Sequence, residues 1–141
     1  MEALIEQLHT GKYSCVIMNG TEIRTFTRRG VADLYDIYQE NPAFMKGAAI
    51  ADKVIGKGAA ALMALGGIKT VYADVISTPA LALLRKAGIK VRFGQQVPAI
   101  RNRDKSGWCP LESACRHTES PEEIYPVIQN FIATIRTNIH S

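Results

Sequence analysis

The spacing of apolar residues in the first forty positions changes from helical to strand-like and back again. Two β-prone runs flank Asn19-Gly20, and such a pair is the strongest short signal for a β-hairpin because both residues tolerate the positive φ of a type I′ turn. A later helical pattern ends before Pro42, since the residue before a proline disfavours the helix. We therefore predict a helix at 2–9, hairpin strands at 13–18 and 21–27, and a helix at 31–40.

The centre of the chain is predicted to alternate helix, strand, helix and strand. Small and apolar residues indicate a buried helix, which we place from residue 51 or 52 to residue 65. The apolar run 69–76 has almost no alternation, which is typical of a strand covered on both faces. Pro79 and Gly88 bracket a short helix, and 89–93 is β-prone again. A strand, helix and strand in succession form a βαβ unit, so part of the sheet is predicted to be parallel.

The last third of the chain is predicted to contain a long polar loop and two helices. The loop spans 94–108, and a short helix runs from Pro110 to about residue 116. Residues 120–123, Ser-Pro-Glu-Glu, form a capping box that starts the final helix. Pro126 lies in its second turn and is expected to kink the helix or delay its start. The order of elements predicts one domain over residues 1–141, a three-layer α/β/α sandwich with a mixed sheet.

Composition and charge narrow the functional classes. The 141 residues are 47% hydrophobic and 21% charged, as in a domain that folds without staples. No apolar run reaches the ~18 residues of a membrane helix and the first residues lack a signal-peptide layout, so we expect a cytoplasmic protein with no membrane partner. Three widely spaced cysteines do not indicate a disulfide framework. The net charge of +4 favours a small anionic ligand and is too diffuse to indicate nucleic acid.

Cys109 is the first candidate for chemistry, because Pro110 begins a predicted helix directly after it. Cys109 is then the N-cap and Glu112 the third helical position, a capping box with a thiol in place of the usual hydroxyl. Unpaired backbone N–H groups and the positive end of the helix lower the pKa of a thiol at such a position. Cys109 is therefore a candidate nucleophile with Glu112 as its proton acceptor. In the alternative interpretation, Cys109 is a half-buried cap and Glu112 only caps in return.

A metal site in the same segment is not expected. Cys109, Cys115 and His117 give a Cys-x5-Cys-x-His spacing, which is not a standard zinc arrangement and has no clear fourth ligand. We therefore predict neither a metal nor an organic cofactor.

The second candidate is the start of the helix predicted from residue 51 or 52. Asp52-Lys53 would occupy its first turn, with Gly56, Lys57 and Gly58 one turn further on. Helix N-termini offer backbone N–H groups to anions, and glycines let a ligand approach closely. The spacing of a P-loop is absent. In the alternative interpretation, Gly58 only allows close packing and Lys57 is only solvated.

Asp74 is the third candidate, because it is a carboxylate inside an otherwise apolar predicted strand. A buried charge needs a partner or a shifted pKa, so Asp74 is either structural or part of a site, with Lys53 as one conceivable partner. Asn102 and Asp104 in the long loop are polar and are candidates to reach the same site as Asp74; in the alternative interpretation they are polar only because loop residues generally are. We assign no role to His9, His117 or His140.

The order of hairpin, helix, strand, proline-started helix and strand resembles the core of the cytidine deaminase-like superfamily. In that superfamily a His/Cys-Ala-Glu motif opens the helix after the hairpin, a Pro-Cys-x-x-Cys motif opens the next helix, and together they hold a catalytic zinc. In this sequence, residues 51–53 (Ala-Asp-Lys) stand where the first motif would be, and residues 78–83 (Thr-Pro-Ala-Leu-Ala-Leu) stand where the second would be. The resemblance thus implies a cytidine deaminase-like topology that keeps the proline and lacks every zinc ligand.

Residues 12–115 also resemble a family of small bacterial proteins of unknown function, which is placed in that superfamily without its zinc site. The resemblance rests on four short motifs: Asp52-Lys53, Gly56-Lys57, Asn102-Arg103 and Cys109-Pro110-x-Glu112. It implies these positions as site residues and implies no particular reaction, because fold does not determine function.

Three functional hypotheses follow. The predicted cleft is lined by Asp52, Lys53, Thr78, Cys109 and Glu112, and its helix N-termini favour an anionic or carbonyl-bearing small molecule. In the first hypothesis the protein is a thiol-dependent enzyme that uses Cys109, with Lys53 or backbone N–H groups stabilising negative charge. In the second it is a non-catalytic binding or sensing module that reuses the deaminase pocket. In the third its buried-looking helices form a homo-oligomer.

Overall fold

The protein forms one mixed five-stranded sheet with helices on both faces. The computed structural model describes residues 2–27, 31–98, 111, 115, 118 and 120–140, the last six of them by backbone alone. The strands are β1 (Cys15–Asn19), β2 (Glu22–Phe26), β3 (Ala49–Ile55), β4 (Thr70–Ser77) and β5 (Lys90–Val97). The helices are α1 (Glu2–Thr10), α2 (Ala32–Glu40), α3 (Pro42–Met45), α4 (Lys57–Gly66), α5 (Thr78–Lys86) and α6 (Pro121–His140).

The strand order is β2-β1-β3-β4-β5. β1 pairs antiparallel with β2 and with β3, whereas β3, β4 and β5 run parallel. The predicted βαβ unit is therefore confirmed as β4, α5 and β5, with α5 as its crossover helix. β3, α4 and β4 form a second such unit, which was not predicted. The expected three-layer sandwich with a mixed sheet is confirmed as well.

The hairpin is confirmed, but its turn is offset by one residue from the prediction. Asn19 still belongs to β1 and pairs with Glu22, so Gly20 and Thr21 are the two central residues of the turn. Gly20 has a φ of +62°, and Thr21 does not take a positive φ. A positive φ at the first central position alone is the pattern of a type II′ turn, not of the predicted type I′ turn.

The helix predicted from residue 51 or 52 is wrong over its first turn and a half, because residues 49–55 form the strand β3. β-branched residues at positions 50, 54 and 55 suit this strand, which pairs on both sides with β1 and β4. The helix α4 begins only at Lys57, after Gly56 as its N-cap. The position that the deaminase resemblance assigned to 51–53 therefore lies in a strand.

The remaining elements differ from the prediction mainly at their ends. α3 was not predicted, and β5 continues to Val97, so the polar loop begins later than expected. The rest of that loop and most of the helix predicted from Pro110 lie outside the described residues. Ser120 caps α6 by accepting the N–H of Glu123 at 3.1 Å, which confirms the cap. α6 runs through Pro126, so the predicted delay of its start is wrong, while the kink stays a prediction.

The core lies on both faces of the sheet. On one face Leu4 and Leu8 of α1 pack against Val16 and Ala51, and we call this the α1 face. The opposite face packs against α2 to α6 in one large apolar cluster. α4 is central to that cluster, because it contacts α2, α3, α5, α6 and β3. No helix in the described part of the chain is long and apolar enough to cross a membrane.

Candidate functional site

The carboxyl ends of β3, β4 and β5 lie side by side and carry several polar residues. β3 is followed by Gly56 and Lys57, β4 ends at Ser77 and leads directly into α5, and β5 ends at Gln96 and Val97. We call this end of the sheet the carboxyl edge. In open α/β sheets ligands bind outside the carboxyl ends of parallel strands, so the topology alone makes this edge a candidate site.

The start of α5 is held by two side chains of its own segment. The buried hydroxyl of Ser77 accepts the N–H of Ala80 at 3.2 Å and so caps the helix. The exposed hydroxyl of Thr78 donates to the Val97 carbonyl at 3.2 Å and accepts from Gln96 Nε2 at 3.1 Å. Thr78, which the sequence predicted as a ligand-binding residue, therefore lies at the carboxyl edge and ties α5 to β5.

The start of α4 has no side-chain cap among the described residues. Its first N–H groups have no partner inside the helix, as at every helix N-terminus. The ammonium of Lys57 donates to the Cys115 carbonyl at 3.0 Å, and Thr118 donates to the same carbonyl at 2.9 Å. A Cβ on Gly58 would lie 2.7 Å from Leu111 Cδ2. The glycine thus allows close packing, and the segment that contains Leu111 and Cys115 lies against the first turn of α4.

Asp52 and Lys53 do not face one another, because neighbouring strand residues point to opposite faces of a sheet. Asp52 pairs with Cys15, which belongs to the core beneath α2 to α6, so Asp52 is on that face of the sheet. Lys53 lies two residues after Ala51, which packs against α1, so Lys53 is on the α1 face. Their predicted placement at a helix start is wrong, and they do not line one common cleft.

Burial raises the pKa of Asp52 and the pKa of Cys15, the residue that pairs with it on β1. Asp52 is partly exposed as a whole residue, yet desolvation of its carboxyl group raises its pKa to about 7, and hydrogen bonds from the N–H groups of Val54 and Lys53 oppose that change. Cys15 is buried, and desolvation together with the nearby Asp52 and Asp33 raises the pKa of its thiol well above the usual value. A thiol in this setting is protonated and unreactive.

Asp74 has partners that the sequence analysis missed. Its Oδ1 atom lies 2.7 Å from His9 Nε2 and 2.7 Å from the Tyr72 hydroxyl, whereas Lys53 makes no ion pair with it. The hydrogen bond to Asp74 is the main cause that raises the pKa of Tyr72. The spacing of Tyr72 and Asp74 places both on one face of β4 and is visible in the sequence. Nothing in the local sequence joins His9 to a residue 65 positions away.

Four of the predicted site residues lie outside the described residues: Cys109, Glu112, Asn102 and Arg103. Their roles stay predictions. Within the described ranges, no three His, Cys, Asp or Glu side chains are close enough to hold a metal ion.

The sheet with helices on both faces defines a three-layer α/β protein, and the carboxyl edge is its candidate site. Residues 3–132 match the family model TM1506, described as a domain of unknown function (DUF1893), and the chain belongs to that family. The crystal structure of the DUF1893 family protein TM1506 from Thermotoga maritima is similar, with a TM-score of 0.83 and 23% identity over 92% of this chain and 87% of that one. The expected membership of a family of unknown function is thereby confirmed.

Two further proteins of known structure overlap with this chain in part. RibD from Acinetobacter baumannii has 18% identity and a TM-score of 0.44, covering 66% of this chain and 33% of its own. A diaminohydroxyphosphoribosylaminopyrimidine deaminase/5-amino-6-(5-phosphoribosylamino)uracil reductase from Thermotoga maritima has 16% identity and a TM-score of 0.44, covering 67% and 35%. The chain thus spans about a third of the length of these enzymes. No curated protein matches it.

Proposed function

We propose that this protein binds a small anionic molecule at the carboxyl edge. The observation that carries the proposal is the position of Lys57 in the first turn of α4, where its ammonium donates to the Cys115 carbonyl and no described side chain caps the helix. A helix N-terminus and a lysine ammonium attract the same charge, and the exposed Thr78 hydroxyl begins the helix after the neighbouring strand. Gly56, the N-cap of α4, adds backbone without a side chain at this point.

Replacing Lys57 with methionine is expected to weaken the binding of inorganic phosphate about tenfold, or about 1.4 kcal/mol. Lys57→Arg keeps the charge and is expected to keep most of the affinity. Lys69→Met is the matched control, because Lys69 is exposed directly before β4 at the opposite end of the sheet. Isothermal titration calorimetry on the four proteins measures the effect. Equal affinities of Lys57→Met and the parent, or no saturable binding by either, contradict the proposal.

A second candidate function is a thiol-dependent reaction of the bound molecule through Cys109. The contact of Leu111 with the first turn of α4 favours it, because Cys109 precedes Leu111 by two residues in the chain. In this proposal Cys109 is the nucleophile or redox thiol, and Glu112 accepts its proton. Without that chemistry the protein is a non-catalytic binding or sensing module. A cytoplasmic location and self-association stay proposals as well.

Cys109 is expected to be alkylated by iodoacetamide faster than the other cysteines and at a pH well below the ordinary thiol pKa of ~8.5. Cys15 and Cys115 serve as internal references because both are buried. Mass spectrometry of the native protein over a pH series measures the three rates. A Cys109 that titrates normally, or reacts only after unfolding, contradicts the thiol-dependent function and leaves the binding module.

A further inference from the structure

A row of three residues, one on each parallel strand, crosses the α1 face: Lys53 on β3, Asp74 on β4 and Gly94 on β5. The pairing of the residues before and after Asp74 fixes this register. Residues 52 and 54 of β3 pair with 73 and 75 of β4, and these two pair with 93 and 95 of β5. Leu4 and Leu8 of α1 cover the neighbouring row at Val16 and Ala51. The polar row lies beyond that apolar contact, at the end of α1 that carries His9.

Only one of the two carboxylate oxygens of Asp74 accepts a hydrogen bond from a described residue. Both of its hydrogen bonds, from His9 Nε2 and from the Tyr72 hydroxyl, reach Oδ1, and no described residue donates to Oδ2. The side chains of His9 and Asp74 are 48% and 29% exposed, so a small molecule has access to them. The His9 and Tyr72 rings meet edge to face with their centroids 6.3 Å apart, which fixes both donors.

Gly94 is the third residue of the row and carries no side chain that would cover the surface beside Asp74. A Cβ at Gly94 would lie 3.0 Å from the Asp74 carbonyl oxygen and 3.8 Å from the Tyr72 hydroxyl, so the close backbone of β4 itself favours glycine here. Gly94 is exposed in the interior of β5, where a glycine weakens the strand and often marks the close approach of a ligand or of another backbone.

Lys53 supplies a positive charge on the other side of Asp74. Adjacent strands are about 4.8 Å apart, so the two side chains start as neighbours on one face. Nevertheless the Lys53 ammonium has no hydrogen-bond or ion-pair partner in the part of the chain that the structure describes. The row therefore presents, on neighbouring strands, an ammonium group and a carboxylate oxygen that have no partner among the described residues.

We infer that this row binds a small molecule that carries an oxyanion and a hydrogen-bond donor a few bonds apart, as α-amino and α-hydroxy acids do. The oxyanion binds the Lys53 ammonium, the donor binds Asp74 Oδ2, and the molecule lies over Gly94. His9 and Tyr72 position the carboxylate through Oδ1. The site lies on the α1 face and does not depend on ligand binding at the carboxyl edge.

Attachment of α1 to the sheet explains only part of the arrangement. Glu2 at the other end of α1 binds Arg92 with 2.5 Å between Oε1 and Nη1, so His9–Asp74 and Glu2–Arg92 together hold both ends of the helix. That role accounts for His9 and Asp74. It does not account for the adjacent lysine, whose ammonium has no partner among the described residues.

The test is a titration of the nitrogen-15-labelled full chain with glycine, glycolate, acetate and methylammonium, followed by the amide signals of Lys53, Asp74 and Gly94. Glycine and glycolate are expected to shift these signals saturably and to separate the amino from the hydroxy source of the donor. Acetate and methylammonium each lack one of the two groups and are expected to bind at least tenfold more weakly.

Lys53→Met is expected to abolish the saturable shifts without changing the rest of the spectrum, because the Lys53 ammonium makes no hydrogen bond or ion pair with the described residues. Lys90→Met is the matched control, since Lys90 is exposed on the same face at the other end of β5. Saturable shifts that survive Lys53→Met, equal binding of acetate, or no shift with glycine and glycolate overturn the inference. Lys57→Met leaves these shifts unchanged and thereby separates this site from the carboxyl edge.

Discussion

Asp52→Asn is expected to stabilise the protein at about pH 8 and to flatten its stability between about pH 4 and pH 8. The pKa of Asp52 rises from 3.8 to about 7 on folding, so the folded state binds a proton that the unfolded chain releases. Stability from this group is complete below about pH 4 and is lost as the pH rises through about 7. Asparagine keeps the oxygen that accepts the Val54 N–H at 3.3 Å and cannot ionise.

The size of this effect follows from the pKa change. Three units correspond to about 4 kcal/mol, and the partial exposure of Asp52 reduces the expected gain at high pH to about 2–4 kcal/mol. Urea unfolding of both proteins across the pH range measures it. Glu6→Gln, which changes an exposed acid on α1, is the control and is expected to leave the pH profile unchanged. Parallel profiles of Asp52→Asn and the parent contradict the assignment.

Leu62→Ala is expected to lower the free energy of unfolding by about 2–5 kcal/mol. Leu62 is fully buried in the middle of α4, the helix that contacts β3 and four other helices. Removing its side chain leaves a cavity where several elements meet, and a well-packed core closes around such a cavity only in part.

Leu65→Ala on the same helix is the matched control, because Leu65 is only partly buried and loses less apolar contact. Urea denaturation curves of the three proteins give the comparison. A loss below about 1 kcal/mol for Leu62→Ala, or an equal loss for both variants, contradicts the central position of α4 in the core.

Local signals in the sequence were sufficient for much of the fold. The Asn19-Gly20 pair located the hairpin, Pro79 and Gly88 bounded α5 to within one residue, and Ser120 marked the start of α6. The strand β3 was missed because its short sequence, in which Asp52 and Lys53 interrupt the apolar residues, has no periodicity that separates strand from helix. The small residues of α4 follow it directly, so the helical pattern was extended back to residue 51 or 52.

The candidate site depended on contacts that lie far apart in the sequence. Thr78 was identified because it stands at the start of a helix that follows a strand. Lys57 was identified one turn inside the helix predicted from residue 51 or 52, whereas in the structure it is the first residue of α4. Because residues 49–55 form a strand where a helix was predicted, Asp52 and Lys53 lie on opposite faces of the sheet. The pairing of Asp74 with His9 spans 65 positions, and only the fold brings them together.

The most direct test of the proposed function is a map of backbone amide shifts during a titration of the labelled protein with inorganic phosphate. Ligand binding at the carboxyl edge predicts the largest saturable shifts at 57–59 and 78–80, the first turns of α4 and α5. It also predicts unchanged signals around Lys46 and Lys69, which precede β3 and β4 at the opposite end of the sheet. Shifts that do not saturate, or that are largest around those two lysines, would contradict it.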